Sequence, residues 1–554
     1  MGFKKIFAAA AIASIAALTA CGNEIKKADV DIKLSSADSS SADSDSMGDI
    51  AADDSSAAEK EAKVFDEAVI VPEPVNYVKF SATAEAEDGK LGGATTVLSD
   101  RKDFTGKGYV TEIAKAEDWS VEIELPESQF YNVSVTTRSE VPCNNVLMGN
   151  GAKLMNVASG GSGDFETTII KNVYLEKGTL TINLDPIDAG LDIDRVSVAA
   201  SAEVSVFKQS LDSPALSNAK ASDSAKTLYS LLCSTYGKKI LLGQYDTVGT
   251  NAETDVIYET TGKYPAIRFG DLMCVTDDEA ANKAELECAK EWYADGGIVG
   301  YMWHWKSPSK KSGFLSSESD FDIMKAKTAE DISMMEAADI KKLADAKKIS
   351  AECLALVNDI DKAAESLKVL RDEGIPVLWR PLHEASNAAF WWGKDKDSYI
   401  WLWQLMYKRM TAYHGLDNLI WVWSAQNADW YVSDKMCDIV SADVYSQNKR
   451  SGQIMIMLFL NSICQTKPIV MSECGSFPDI QSIANEGAFW GYIGHWGADY
   501  LLDERGRLDE THDTADELVR MYNNNFTLTR DKLEALLGTP KKEKAEDISA
   551  AAQQ

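Results

Sequence analysis

The stretch Ile375–Pro376–Val377–Leu378–Trp379 is a short, continuous apolar run, and it leads directly into Arg380–Pro381–Leu382–His383–Glu384. Such a run is typical of a buried parallel strand, and the polar residues after it mark the strand's carboxyl end. The aromatic segment Phe390–Trp391–Trp392–Gly393 follows a few residues later. Burial against aromatic rings raises the pKa of a carboxyl group, so Glu384 is a candidate general acid.

Seven more apolar runs of this kind lie in the same half of the chain, and helical patterns separate them. They cover residues 240–243, 265–269, 297–303, 419–423, 439–444, 468–471 and 489–493. Eight buried strands that alternate with helices predict an α/β fold, a closed (β/α)8 TIM barrel, over residues 223–538. A long excursion at residues 306–367, between the third and fourth runs, is expected to overhang the cleft.

A second carboxyl group closes the seventh run, in Pro468–Ile469–Val470–Met471–Ser472–Glu473. The active sites of such barrels lie at the carboxyl ends of the strands, and the fourth and seventh strands face each other across the barrel. Glu384 and Glu473 are therefore expected to converge. Two converging carboxyl groups in an aromatic-lined cleft suggest glycoside hydrolysis, and the retaining form requires them about 5–5.5 Å apart.

Motifs on several separate strands carry a more specific resemblance. They are Gly262–Lys263–Tyr264–Pro265–Ala266, Trp303–His304–Trp305, the segment from Arg380 to Glu384 with the aromatic run at 390–393, Asp443–Val444–Tyr445, and Ser472–Glu473–Cys474–Gly475. In these motifs the chain resembles glycoside hydrolase family 26, most of whose members are β-1,4-mannanases. The resemblance implies that Glu384 is the acid/base and Glu473 the nucleophile, with no cofactor for catalysis.

The resemblance also implies a substrate-binding set and a substrate. The residues expected to contact or position the substrate are Trp303, His304, His383, Trp391, Trp392, Tyr445 and Trp496. The expected activity is endo-hydrolysis of β-1,4-mannan, glucomannan or galactomannan. The chain departs from the family at Ala389, where a tryptophan is usual, at Asn387–Ala388, where glycine is common, and at Cys474, where an aromatic is common.

Two alternatives remain open at this stage. One is a mixed-linkage β-glucanase or xylanase of the same family. The other is a non-catalytic lipoprotein that binds polysaccharide at the cell surface, although loss of Glu384 or Glu473 would be its expected signature. The formal net charge of −30 argues against nucleic acid, which requires basic patches, and a neutral polysaccharide tolerates an acidic surface.

Short alternating strands between residues 67 and 205 predict an all-β sandwich of the jelly-roll kind ahead of the barrel. Its segments Glu85–Ala86–Glu87–Asp88–Gly89 and 191–198 resemble family 35 and family 6 carbohydrate-binding modules. That resemblance implies a structural calcium bound by Glu85, Glu87 and Asp194. The aromatic residues Tyr109 and Trp119 are interpreted as scaffold rather than as a sugar platform.

The first residues predict an export signal. Lys4–Lys5 precede an apolar run, and Leu18–Thr19–Ala20–Cys21 resembles a bacterial lipobox, which implies a signal peptide at 1–20 and lipidation of Cys21. Residues 21–66 predict an acidic disordered linker, 206–222 a second linker and 539–554 a disordered tail. We expect a monomer at the cell surface or outer membrane, held to the membrane only through the lipid.

Overall fold

The computed structural model describes residues 63–73, 77–202, 209, 211, 214–308, 313–445 and 451–537. The predictions for the signal peptide, the lipidated Cys21 and the tail at 539–554 lie outside these residues, as does most of the linker at 21–66. Among the described residues, no helix has the length and apolar character needed to cross a membrane.

The N-terminal part is a sandwich of two antiparallel sheets, as the alternating pattern predicts. One sheet contains β1 (Ser81–Glu85), β3 (Thr96–Leu98), β4 (Tyr109–Thr111), β6 (Gln129–Arg138), β9 (Glu166–Leu175) and β11 (Asp192–Ala200). The other contains β2 (Lys90–Leu91), β5 (Trp119–Leu125), β7 (Pro142–Gly149), β8 (Ala152–Gly160) and β10 (Gly178–Asp185). Inward-facing apolar residues such as Val121, Val133 and Ile182 form a separate core between the sheets.

Tyr109 and Trp119 are both scaffold residues of this sandwich. Trp119 is fully buried, and its indole N–H donates to the Ala86 carbonyl at 3.0 Å. Tyr109 is buried with its hydroxyl bonded to Asp100 at 2.6 Å. Each ring therefore fills core space and satisfies its polar atom locally.

The C-terminal part is the predicted barrel. Its parallel strands are β12 (Ile240–Tyr245), β13 (Ile267–Asp271), β14 (Ile298–Met302), β15 (Val377–Arg380), β16 (Leu419–Trp423), β17 (Ile439–Val444), β18 (Ile469–Cys474) and β19 (Tyr492–His495). Each strand pairs with the next, and β12 pairs with both β13 and β19, so the sheet closes. A short strand, β20 (Thr527–Leu528), pairs with the first residues of β12 at the base of the barrel.

Helices surround the barrel strands. They are α1 (Asp223–Thr235), α2 (Ala252–Thr261), α3 (Glu279–Ala294), α4 (Ile323–Ala326), α5 (Ala337–Asp345), α6 (Ala351–Asp372), α7 (Lys396–Lys408), α8 (Ile454–Ile463), α9 (Ile480–Glu486), α10 (Ala515–Tyr522) and α11 (Arg530–Leu537). The predicted excursion at 306–367 is too long, because α6 packs as a regular barrel helix ahead of β15. The insertion therefore ends before residue 351.

The barrel interior is closed by an aromatic ring that fits between glycines. A Cβ atom on Gly243 would lie 2.4 Å from the Phe269 ring, and one on Gly300 would lie 2.3 Å from it. Both distances are far below van der Waals contact. The glycines at these two positions of β12 and β14 thus leave room for the Phe269 ring in the middle of the barrel, beneath the polar layer at its top.

The segment at residues 63–73, which we call the N-terminal strap, packs on the barrel before the chain enters the sandwich. Ala68 donates to the Asn523 carbonyl at 2.8 Å, and Ile70 donates to Asn525 Oδ1 at 2.7 Å. Glu73 donates to Asn485 Oδ1 at 2.9 Å. Ile70 also belongs to the same buried cluster as Phe130 of the sandwich. The strap and the sandwich are therefore both held against the barrel.

Glu486, at the end of α9, is a buried carboxyl group that holds the start of α8. Gly452 donates to its Oε1 at 2.8 Å, and Ile454 donates to its Oε2 at 3.3 Å. Burial outweighs these bonds and raises the pKa of Glu486 to about 7. The folded protein thus keeps a proton there that the unfolded chain releases above about pH 4.5.

We expect this proton to make stability fall as pH rises. Between about pH 4.5 and 7 the native state binds the extra proton, so the free energy of unfolding decreases by up to about 3 kcal/mol. A Glu486→Gln variant does not titrate, and its Tm relative to the wild type should rise across this window. Thermal melts from pH 4.5 to 8 measure it, with Glu122→Gln on the exposed face of β5 as the charge control. A constant difference across the window contradicts the expectation.

Candidate active site

The polar layer at the top of the barrel is organised around Arg380, the last residue of β15. Its Nη1 donates to both carboxylate oxygens of Asp443 at 3.0 Å and to Ser424 Oγ at 3.2 Å. Its Nη2 donates to Glu473 Oε1. Arg380 is 2% exposed, so one buried guanidinium compensates two buried carboxylates.

Glu473 is held from two sides. Besides Arg380, the Tyr445 hydroxyl donates to Glu473 Oε2 at 2.6 Å. Burial raises the pKa of Tyr445 well above its ordinary value, so the phenol keeps the proton that it donates. Both donors stabilise the ionised form of Glu473, which is the form that a nucleophile requires.

A bulge in β18 aims Glu473 into the cleft. Val470 packs in the barrel interior, whereas Met471 and Cys474 pack on the helix side. Strict alternation would place residue 473 on the helix side as well. Instead the register with β17 shifts between Ala442 and Asp443, so that Asp443 pairs with Glu473. Bulges commonly re-aim side chains next to active sites.

Glu384 lies in the loop after β15, within electrostatic reach of the two residues that hold Glu473. Burial disfavours the charged guanidinium of Arg380, but neighbouring groups raise its pKa overall. Asp443 contributes most to this rise, and Glu384 also contributes. For Tyr445 burial is the largest cause of the raised pKa, and the charge of Glu384 adds to it. Arg380 and Tyr445, which hydrogen-bond Glu473, therefore also interact electrostatically with Glu384.

The loop that carries Glu384 has a strained backbone. Leu382, Glu384 and Ala388 have φ angles of 52°, 50° and 58°, in the left-handed region that residues other than glycine rarely adopt. Each such residue costs about 1–3 kcal/mol, and strain of this kind clusters at functional sites. The surrounding structure holds the loop: Glu384 donates its backbone N–H to the Ser424 carbonyl at 3.0 Å.

Two histidines lie in contact at the barrel top, and one of them directly precedes Glu384 in the chain. His304 and His383 contact each other edge to face, with ring centroids 4.7 Å apart. His304 Nδ1 lies 2.6 Å from Asp271 Oδ2, which fixes the ring. Burial, then the charge of Arg380, lowers the pKa of His383 well below its ordinary value, so this ring is neutral. Its Nδ1 atom is buried with no hydrogen-bond partner among the described residues, and it can serve a substrate hydroxyl.

The predicted substrate-binding set divides into two groups. His304, His383, Tyr445 and Trp496 lie at the barrel top, where Trp496 packs 4.9 Å from Tyr245 and 6.1 Å from His304. The other three residues, Trp303, Trp391 and Trp392, are at most 1% exposed.

The prediction that Trp303, Trp391 and Trp392 line the cleft is corrected by this burial. Trp303 follows β14 and points to the helix side, where it stacks on Trp305 at 4.1 Å. Trp391 donates its indole N–H to the Trp305 carbonyl at 2.7 Å, and Trp392 donates to the His383 carbonyl at 2.8 Å. These rings form the shell that fixes the Glu384 loop.

The three proposed calcium ligands of the sandwich converge on the segment from Thr105 to Lys107. Glu85 Oε2 and Asp194 Oδ2 both accept from Thr105 Oγ1, at 2.6 and 3.2 Å, and Glu87 Oε1 accepts from the Lys107 N–H at 2.5 Å. Glu87 Oε2 is buried without a hydrogen-bond partner. Arg195 also bonds Asp194, and the described residues hold no His, Cys, Asp and Glu group of three or more in metal-binding arrangement.

Several residues of the site were not assigned a role from sequence. Arg380 and Asp443 are charged residues at strand ends in the sequence. A cation at the buried end of a strand is the signal that could have identified Arg380 as a hydrogen-bond donor to Glu473. Gln426 donates to Asp443 Oδ2 at 3.3 Å. Asn387 donates to Glu384 Oε2 at 3.1 Å, a contact that depends on the loop conformation and has no sequence signal.

A closed (β/α)8 barrel with two glutamates at the carboxyl ends of its strands, one of them hydrogen-bonded by an arginine and a tyrosine, is the arrangement of a two-carboxylate glycoside hydrolase. The profile of glycosyl hydrolase family 26 matches residues 217–532, so the chain belongs to this family.

Named relatives cover both parts of the chain. The mannan endo-1,4-beta-mannosidase of Thermothelomyces thermophilus is 31% identical over 469 residues, which are 82% of this chain and 91% of the relative. Mannan endo-1,4-beta-mannosidase B of a Piromyces species is 30% identical over 463 residues, 81% of this chain and 76% of that one. The crystal structure of the GH26-CBM35 beta-(1,4)-mannanase of Podospora anserina is similar with a TM-score of 0.53 and 31% identity, covering 82% of this chain and 99% of that one.

Proposed function

We propose that this protein is a retaining endo-β-1,4-mannanase that hydrolyses internal bonds of mannan, glucomannan or galactomannan. The observation that carries the proposal is the pair of hydrogen bonds from Arg380 and Tyr445 to Glu473, with Glu384 within electrostatic reach of the same two residues. The naming of the relatives as mannan endo-1,4-beta-mannosidases supports the substrate.

The reaction proceeds in two steps at these carboxyl groups. Glu473 attacks the anomeric carbon while Glu384 gives its proton to the glycosidic oxygen, so the C–O bond breaks and a glycosyl–enzyme ester forms. Glu384, now ionised, takes a proton from water, and the water oxygen displaces Glu473. Arg380 and Tyr445 stabilise Glu473 whenever it is an anion, before attack and on release.

Reducing-end release from linear β-mannan, mixed-linkage β-glucan and xylan tests the substrate. NMR of the first product released from mannan tests the mechanism as well. Retention of the anomeric configuration supports the double displacement, and inversion contradicts it. Release from glucan or xylan alone overturns the mannanase assignment and favours the related activities. Binding without release from any of the three favours a polysaccharide-binding protein.

Replacing Glu384 by alanine should separate the two steps. Without the acid, hydrolysis of mannan should fall by roughly 10²–10⁴-fold, because a sugar hydroxyl is a poor leaving group. An aryl mannobioside with a dinitrophenolate leaving group needs no proton, so its first step should be nearly unaffected. Added azide should then accelerate turnover and give a β-glycosyl azide. Equal losses on both substrates, with no azide product, contradict the assignment of Glu384.

We further propose that the sandwich is a carbohydrate-binding module with a structural calcium held by Glu85, Glu87 and Asp194. The support is the convergence of these carboxyl groups, the buried Glu87 Oε2 without a partner, and the similarity to the Podospora anserina protein, which extends beyond the barrel. Carboxylate oxygens are the ligands that calcium prefers.

Calcium should therefore stabilise the sandwich. At a concentration 100 times its Kd, a ligand that binds only the native state adds about 2.7 kcal/mol to the free energy of unfolding. Calorimetry with calcium and with a chelator should show a higher Tm with calcium, and Glu87→Gln should remove the difference. Calcium titration of the wild type that gives neither heat nor a Tm change contradicts the proposal.

We also propose that the protein is exported, lipidated at Cys21 and monomeric, acting at the cell surface or outer membrane. The lipobox-like Leu18–Thr19–Ala20–Cys21 supports the lipid. Mass spectrometry of the N-terminal peptide from membranes, with Cys21→Ser as control, tests lipidation, and light scattering of the purified chain tests its oligomeric state.

A further inference from the structure

Asn387 makes two hydrogen bonds that connect the acid/base carboxyl group to its own loop. Its Nδ2 donates to Glu384 Oε2 at 3.1 Å, and its Oδ1 accepts the Ala389 backbone N–H at 2.8 Å. Asn387 is half-buried, and both bonds are partly buried. The side chain thus spans the loop between the carboxyl group and the turn that follows it.

These two bonds fix which end of the amide faces Glu384. Rotating the amide by 180° would point its NH2 group at the Ala389 N–H and its oxygen at the Glu384 carboxylate. Both contacts would then join groups of the same kind, donor to donor and acceptor to acceptor. The amide is therefore held with a donor directed at Glu384.

The turn itself is anchored from another part of the chain. Ser316, in the insertion after β14, donates its hydroxyl to the Ala388 carbonyl at 2.8 Å and its N–H to the Ala389 carbonyl at 2.7 Å. Ala388 has a φ of 58° and lies inside the turn closed by Asn387 Oδ1. The insertion thus holds the loop in the conformation that aims Asn387 at the acid.

We propose that Asn387 is a positioning residue that sets the protonation of the acid/base Glu384. A hydrogen bond donated to a carboxylate stabilises its ionised form and disfavours the protonated one. The hydrogen bond from Asn387 to Glu384 Oε2 thereby makes the acid easier to ionise.

Other charged and titratable groups also act on Glu384, and they remain unchanged when Asn387 is altered. Arg380 and Tyr445 interact electrostatically with Glu384. The other titratable groups at this end of the barrel are Asp443, Glu473, His304 and His383. A change that appears on substitution of Asn387 alone is therefore attributable to its own hydrogen bond.

The test compares two substitutions of Asn387, one that keeps the hydrogen bond from the Ala389 N–H and one that removes it. Asn387→Asp keeps an oxygen for the Ala389 N–H but removes the donor and adds a negative charge, and Asn387→Ala removes both bonds. The inference rests on the proposed acid role of Glu384, so the pH dependence of kcat/KM is measured on mannan. The alkaline limb, where the acid loses its proton, should move upward by roughly 1 pH unit in the alanine variant and further in the aspartate variant.

Ala388→Gly is the matched control, because it relieves the positive φ of the turn and leaves the donor in place. Its alkaline limb should coincide with that of the wild type. A shift in Ala388→Gly equal to that in Asn387→Ala overturns the proposal and assigns Asn387 to the turn alone.

NMR titration of ¹³C-labelled glutamate carboxyl groups separates this inference from the proposed function. The Glu384 signal, assigned with Glu384→Gln, should have a higher titration midpoint in both Asn387 variants. An unchanged midpoint overturns the inference. A raised midpoint with an unchanged kinetic limb upholds the contact and overturns the assignment of Glu384 as the acid.

Discussion

Replacing Glu473 by alanine should lower kcat/KM on mannan by roughly 10⁴–10⁶-fold, as loss of a catalytic nucleophile does elsewhere. No other described carboxyl group takes both the Arg380 and Tyr445 bonds, so nothing at the site substitutes for it. Reducing-end release measures the loss. A fluorinated mannosyl inhibitor should label the wild-type peptide that contains Glu473 and leave the variant unlabelled.

Tyr445→Phe provides a graded comparison for this prediction. It keeps the nucleophile and the ring but removes the 2.6 Å hydrogen bond, and a lost donor of this kind costs about 10²–10³-fold. Retention of more than a tenth of the wild-type kcat/KM in Glu473→Ala, or labelling of a different glutamate, contradicts the proposed mechanism.

Replacing Arg380 by methionine should reduce both stability and activity. The change leaves Asp443 and Glu473, which are 1% and 4% exposed, buried without their cation. Removing one partner of a buried ion pair costs about 3–5 kcal/mol, so denaturant unfolding should show a loss of this size. Glu473 also becomes harder to ionise, and the acidic limb of kcat/KM should move to higher pH.

A second substitution should separate these two effects. The double variant Arg380→Met/Asp443→Asn lacks one of the two buried carboxylates left without a cation. Part of the lost stability should therefore return, while kcat/KM remains low. Arg507→Met controls for the loss of an arginine, because its ion pair with Asp503 lies at the surface. Equal stability of Arg380→Met and the wild type contradicts this prediction.

The barrel was predictable because its strands are buried on both faces. Such strands give continuous apolar runs, and the runs at residues 375–379 and 468–471 are the fourth and seventh in chain order. Their ends can therefore be assigned to positions on opposite sides of the barrel. The positions of Glu384 and Glu473 follow from that count. The substrate, in contrast, was predicted only from the resemblance of several motifs to a known family.

What the sequence could not show depends on local departures from regular geometry. The bulge beside Asp443 turns Glu473 into the cleft against the alternation of β18, and nothing in the residue pattern marks it. The same limit explains the misplaced tryptophans. Trp303 and His304 are neighbours, so only one of them can face the barrel axis, and motif position alone does not say which.

The N-terminal strap has a mechanical consequence. It attaches at Asn523–Asn525, next to β20 and the first residues of β12, and so at the end of the barrel opposite Glu384 and Glu473. A force applied at residue 63 would reach these hydrogen bonds at the base of the barrel first, whereas the catalytic loops lie at the other end of the strands. We therefore expect the base of the barrel to bear such a load and the geometry around Glu384 and Glu473 to stay unchanged.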